Sequence, residues 1–127
     1  MTAHMTPQYM TPAPTVGATA LSRGEAVKFS SGVLVACDDG ASSVGDRAMG
    51  FVMHDAAIGA TASIAVAGGG GVAIAAGTIS KGDALKTDAN GHVVATSTSN
   101  NVISAIAEED AVDGDVFAIR PTFNYKY

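Results

Sequence analysis

Glycine recurs along this chain at intervals too short for an ordinary helix. From residue 21 onward, Gly or Asx-Gly turn signals interrupt the sequence every several residues. Each glycine in a helix interior costs about 1 kcal/mol relative to alanine, so a helix here would accumulate that cost repeatedly. The intervening segments are rich in Val, Ile and Thr, which favour strands. The spacing predicts an all-β fold, a small β-barrel or β-sandwich. The predicted strands are residues 25–29, 33–37, 48–54, 61–67, 72–76, 83–87, 92–96, 102–108 and 115–120.

The sequence also contains an internal repeat. Residues 21–28 read Leu-Ser-Arg-Gly-Glu-Ala-Val-Lys, and residues 79–86 read Ile-Ser-Lys-Gly-Asp-Ala-Leu-Lys. Two further matches follow in the same order, pairing residues 32–36 with 91–95 and residues 50–59 with 105–114. Because these matches keep turn residues and strand periodicity together, they indicate a duplicated β unit. We therefore expect a fold built from two pseudo-repeat halves.

Residues 1–20 differ from the rest of the chain, and we predict that they form an extended N-terminal arm. A β domain of residues 21–127 follows, with repeats at about residues 21–67 and 79–123. The arm holds no charged side chain, and its prolines exclude a helix interior. Its apolar residues either dock onto a neighbouring subunit or belong to an undocked terminus, and both interpretations stay open. The candidate docking residues are Met5, Tyr9, Met10 and Val16.

The hydrophobic residues of this chain are mostly small. They make up 47% of the sequence, but the 24 Ala outnumber the 13 Val, 7 Ile and 3 Leu taken together. A domain of this size buries only about two-thirds of its unfolded surface, and each Ala contributes little of that burial. Composition therefore favours a globular domain with a core of small side chains that shares its burial with partners.

Charge and apolar patterning exclude several functions. A formal net charge of -5 with scattered Lys and Arg argues against nucleic-acid binding, which needs clustered positive charge. No apolar run is long enough to predict a membrane span, and the N-terminus lacks the pattern of a signal peptide. The single cysteine, Cys37, is expected to be a small buried residue of a protein made in a reducing compartment.

Three of the seven aromatic residues lie in the last five positions of the chain. Phe123, Tyr125 and Tyr127 alternate with polar residues, so a terminal extended segment would carry all three on one face. They either cap the chain's own core or pack against a neighbour. We favour the interface, because Tyr suits contacts with one dry and one wet side.

No motif in the sequence predicts catalysis, a cofactor or a metal ion. The glycines of residues 68–71 lack the Gly-Lys-Ser/Thr ending of a phosphate-binding loop. His54 and Asp55 are adjacent, and neighbouring strand residues face opposite sides, so they are poorly placed to chelate one ion. No Ser or Cys lies in a nucleophile elbow. We therefore expect a protein that is not an enzyme.

The repeated pattern resembles the capsid cement, or decoration, proteins of tailed bacteriophages. The resemblance covers about residues 20–120. The matching segments are Ala76 to Asp83, Lys86, Asp88 to Gly91, Ile103 to Ala107 and Ala111 to Phe117.

That resemblance implies a structural protein made in the host cytoplasm and carried on the virion. It would bind the major capsid protein on the outside of an assembled head and stabilise contacts between subunits, as a dimer or trimer. One alternative is a host-surface or carbohydrate-binding virion module, with Tyr125 and Tyr127 as its aromatic platform. Another is a biotinyl or lipoyl carrier domain, but the Met-Lys-Met or Asp-Lys-Ala tip of those domains is missing.

Overall fold

Two five-stranded sheets make up the fold. The computed structural model describes residues 8–9 and 14–127, and within this part no helix is long and apolar enough to cross a membrane. One short 3₁₀ turn occurs, at Ala41–Ser43. The strands are β1 (Gln8–Tyr9), β2 (Ala26–Ser30), β3 (Val33–Ala36), β4 (Gly50–Val52), β5 (Ile64–Val66), β6 (Gly71–Ile74), β7 (Ala84–Thr87), β8 (Val93–Ala95), β9 (Val102–Ala107) and β10 (Val116–Lys126).

The strand order confirms the all-β prediction and the two pseudo-repeat halves. The first sheet runs β1-β5-β4-β2-β3 and the second runs β6-β10-β9-β7-β8, so each strand has a counterpart in the other sheet. All of these strand pairs are antiparallel. The equivalence extends to single hydrogen bonds: Asp55 Oδ1 accepts from the Arg23 amide at 2.8 Å, and Asp110 Oδ1 accepts from the Lys81 amide at 2.8 Å. The second half therefore repeats the first in topology and in turn chemistry.

Each sheet curls until its two ends meet. In the second sheet, β6 pairs with β10, and the next residue, Ala75, forms a parallel bridge to Val93 of β8. In the first sheet, Val16 forms the matching parallel bridge to Leu34 of β3. The Val16 amide also donates to the Ala60 carbonyl at 2.8 Å, just before β5. These links close each half into a small barrel, which leaves fewer unpaired strand edges.

The closure corrects the predicted boundary at residue 20 and the role of Val16. Val16 is the counterpart of Ala75 and is only 2% exposed, so it belongs to the core of the first barrel and is unavailable to a partner. Its backbone is bonded on both sides, to Ala60 and through Gly17 to Leu34. The first repeat therefore begins before residue 21, and residues 15–17 are its closing segment.

The two barrels share one core. The larger buried cluster joins Phe51 and Cys37 of the first half to Leu85, Phe117 and Ile119 of the second. Its alanines also come from both halves, which is where the small-residue composition is used. A second cluster, around Leu34 and Ile64, is built from the first half alone. Burial raises the pKa of the Cys37 thiol to about 12, so this side chain is a neutral core residue at physiological pH.

We expect Val16→Ala to lower the free energy of unfolding by about 2 kcal/mol, because it removes buried methyl groups from a closed barrel. The control is Val112→Ala, since Val112 is 59% exposed and its truncation leaves no cavity. Urea unfolding followed by circular dichroism measures both variants. Equal losses in the two variants would contradict the assignment of Val16 to the core.

Candidate partner-binding surface

The C-terminal strand β10 has an irregularity that arranges its side chains. Pro121 lies opposite Ala105 and Tyr125 lies opposite Ile103, so residues 122–124 face the single residue Ser104 of β9. Proline lacks an amide hydrogen and is tolerated beside such a bulge. Asn124 adopts a positive φ of 49°, a conformation that Asn accepts more readily than most residues. The bulge therefore ends the regular alternation of the strand.

Polar side chains of the bulge point inward and hold it in place. Asn124 Nδ2 donates to the Ala48 carbonyl at 2.8 Å, and Asn124 Oδ1 accepts from the Ser104 hydroxyl at 3.2 Å. The Thr122 hydroxyl donates to the Ile103 carbonyl at 2.8 Å. Phe123, between these two anchored residues, is turned outward and is 86% exposed. The bulge thus presents a phenylalanine to solvent on a fixed backbone.

A groove of about 260 Å³ lies between the two barrels beside this bulge; we call it the inter-barrel groove. None of the described residues that line it carries a charge. Met49, on one wall, is 46% exposed, so the groove joins Phe123 into one uncharged, largely apolar surface. The lining residues are Ala48, Met49, Gly50, Phe51, Val66, Ala67, Ser104, Pro121, Thr122, Phe123 and Asn124.

The structure brings together only some of the predicted interface residues. Phe123 lines the groove, while Tyr125 and Tyr127 lie further along the same segment and are 47% and 52% exposed. Tyr9 lies in β1 opposite Ala65, whereas the candidates Met5 and Met10 fall outside the described residues. The predicted common aromatic face does not follow from simple alternation, because the bulge at Asn124 interrupts it.

Met49 is an exposed groove residue that the sequence does not single out. It ends a loop, residues 37–49, that has a shorter counterpart in the second half, residues 96–101. This loop crosses to the second barrel, where the Thr87 hydroxyl donates to the Asp38 carbonyl at 2.7 Å and accepts from the Asp46 amide at 2.7 Å. Thr87 is fully buried, so both bonds form away from water. The long loop therefore carries Met49 to the groove on a bonded support.

An ion cluster secures the same loop. Lys28 Nζ lies 2.5 Å from Asp46 Oδ2 and 3.5 Å from Asp38 Oδ2. Burial alone would raise the pKa of Asp46, but hydrogen bonds from Lys28 and from two backbone amides outweigh it and lower that pKa. The hydrogen bond to Asp46 in turn raises the pKa of Lys28. Both groups therefore hold their charges more firmly in the folded protein.

Two shallow pockets occupy equivalent positions on the two barrels. One is lined by Leu21, Ser22 and Asp55, and the other by Ile79, Ser80 and Asp110. The neighbouring His54 is engaged locally: its Nε2 accepts from the Ser63 amide at 3.1 Å and its Nδ1 lies 2.9 Å from the Asp55 carbonyl oxygen. Among the described residues, no three His, Cys, Asp or Glu side chains are grouped as a metal site.

Comparison with known proteins identifies a shared fold. The sequence matches no protein-family model and no curated protein. The structure is similar to the crystal structure of the head fiber gp8.5 N base in bacteriophage phi29, with a TM-score of 0.59. The similarity covers 87% of this chain and 92% of the phage chain, at 17% sequence identity. The whole two-barrel arrangement, rather than one half of it, therefore has a counterpart of known structure.

We expect Asp46→Asn to lower the free energy of unfolding by about 1–2 kcal/mol at pH 7, because Lys28 loses a charged partner. A lowered carboxyl pKa stabilises the fold above the ordinary Asp value of about 3.9, and this contribution disappears as the pH falls through the folded-state pKa. The raised pKa of Lys28 contributes below about pH 10.5 and is lost above it. The difference between wild type and variant should therefore shrink at both extremes of pH.

Urea unfolding across this pH range measures the difference, with the exposed Asp113→Asn as the matched control. A pH-independent deficit in Asp46→Asn would show that the Lys28 pair does not account for the stabilisation.

Proposed function

We propose that this chain is a structural protein of a phage virion, and more specifically a cement or decoration protein. It attaches to the outside of an assembled head and stabilises contacts between major capsid subunits. The observation that carries the proposal is the fold, which over 87% of the chain resembles the base of a phage head fiber. The proposed role is non-catalytic.

The C-terminal aromatic segment is the proposed contact with the capsid. Phe123, Tyr125 and Tyr127 are exposed on an edge region of the second barrel, and the segment's backbone is anchored by its pairing with β9. Aromatic residues are enriched at the centres of protein interfaces, where they bury much area at little entropic cost. An anchored strand is ordered before binding, so association costs less conformational entropy.

The duplication of the fold suits a partner that is itself repeated. The equivalent pockets around Leu21 and Ile79 give each barrel a similar surface. A capsid displays many identical subunits, so one molecule could contact two of them through related surfaces. Linked contacts of this kind raise the overall affinity well above that of either contact alone. The net charge of -5 also disfavours capture by DNA.

A carbohydrate-binding virion module is the second candidate. Tyr125 and Tyr127 are each about half exposed, and exposed aromatic rings can stack on sugar faces. This function would place the same two residues against a glycan instead of a capsid protein. The two candidates therefore differ in ligand and not in surface.

Cosedimentation with empty and expanded heads of the cognate phage tests the proposal. We expect the wild type to bind heads, and Tyr125→Ala combined with Tyr127→Ala to weaken binding at least about tenfold, as for residues at the centre of an interface. The matched control is Ile58→Ala with Val112→Ala, two exposed aliphatic residues at turn tips away from β10.

Equal binding by both double variants would remove the aromatic segment from the interface. Failure of the folded wild type to bind any form of the head, together with retention on a glycan array, would overturn the cement proposal in favour of the second candidate.

A further inference from the structure

The inter-barrel groove leaves apolar surface exposed beside the point where the N-terminal segment enters the fold. In β1, Gln8 lies opposite Val66 and Tyr9 lies opposite Ala65. An antiparallel register that continues by one residue would set residue 7 beside Ala67. Val66 and Ala67 both line the groove. The strand pairing therefore directs the first seven residues of the chain to one wall of this groove.

Those seven residues have the pattern of a half-buried extended segment. They read Met-Thr-Ala-His-Met-Thr-Pro, in which apolar residues alternate with polar ones. In an extended conformation, Met1, Ala3 and Met5 would share one face. The segment has no Asp, Glu, Lys or Arg, and neither do the described residues of the groove lining. Segment and groove therefore match in polarity.

The size of the groove fits a few side chains and not a folded element. It encloses about 260 Å³, below the range typical of pockets for drug-sized ligands. Its rim carries Phe123, 86% exposed, and Met49, 46% exposed. Methionine is flexible and makes favourable contacts with aromatic rings, so Met5 suits this rim. From residue 7, two extended residues reach about 7 Å into the groove.

We infer that the inter-barrel groove is the binding site for residues 1–7 of the same chain, with Met5 against Met49 and Phe123. The docked segment lays a strand-like connection from the first barrel across to the bulge of the second. It also covers the apolar surface around Phe123, which would otherwise favour non-specific association. This inference concerns the isolated protein and does not depend on capsid binding.

Disulfide trapping tests the contact in the full-length protein. In a Cys37→Ala background, Met5→Cys is combined with Met49→Cys and oxidised at low protein concentration. We expect an intramolecular disulfide, seen as a monomer on a non-reducing gel with the mass of two hydrogens lost. The control pairs Met5→Cys with Ile58→Cys, because Ile58 is exposed and precedes β5, whereas the groove lies at the other end of that strand.

The trapping result decides between the possible occupants. Much faster intramolecular trapping at Met49 than at Ile58 supports the inference. Equal rates at both positions would overturn it, because they would indicate a segment with no preferred site. Disulfide-linked dimers in place of monomers would overturn it in favour of a second copy as the occupant.

A fluorescence measurement provides an independent readout. The chain has no tryptophan, so Phe123→Trp is a unique reporter of the groove rim. We expect Met5→Asp to shift its emission to longer wavelength, because a charge would be expelled from the groove and expose the indole. Thr6→Asp, on the opposite face of the segment, should leave the emission unchanged. The same shift, or none, in both variants would overturn the inference.

Discussion

Burial of small side chains between two barrels is the constraint on which the rest of the structure depends. Alanine supplies little apolar area, and a single half of this chain has few large residues to bury. The shared cluster answers this by placing Phe51 and Cys37 of the first barrel against Phe117 and Ile119 of the second. Composition alone indicated that the domain would share its burial with partners. Much of that sharing takes place within the chain, between its two repeats.

Duplication explains the regular part of the fold, and departures from it explain the candidate surface. Equivalent strands, bridges and aspartate hydrogen bonds at Asp55 and Asp110 recur in both halves. Two features do not recur: the long loop of residues 37–49 in the first half and the bulged extension of β10 in the second. The groove and its exposed rim lie where these two features meet. The surface proposed for binding is therefore built from what the repeats do not share.

The sequence was sufficient to predict the strands and the repeat, because glycine spacing and matched turn residues are local signals. Val16 was misassigned because its counterpart is Ala75, and no identity marks the pair; the equivalence exists only in the bridges to Leu34 and Val93. Met49 and the bulge at Asn124 could not be predicted for a related reason. Their positions depend on bonds between distant segments, such as that from Asn124 to the Ala48 carbonyl.

That same hydrogen bond has a mechanical consequence. Asn124 belongs to the second barrel and Ala48 to the first, so their bond spans the mouth of the groove. Rotation of one barrel against the other would change the separation of Met49 and Phe123 and stretch this bond. The width of the groove is thus a gauge of the angle between the barrels, and a side chain wedged into it would resist bending of the whole molecule.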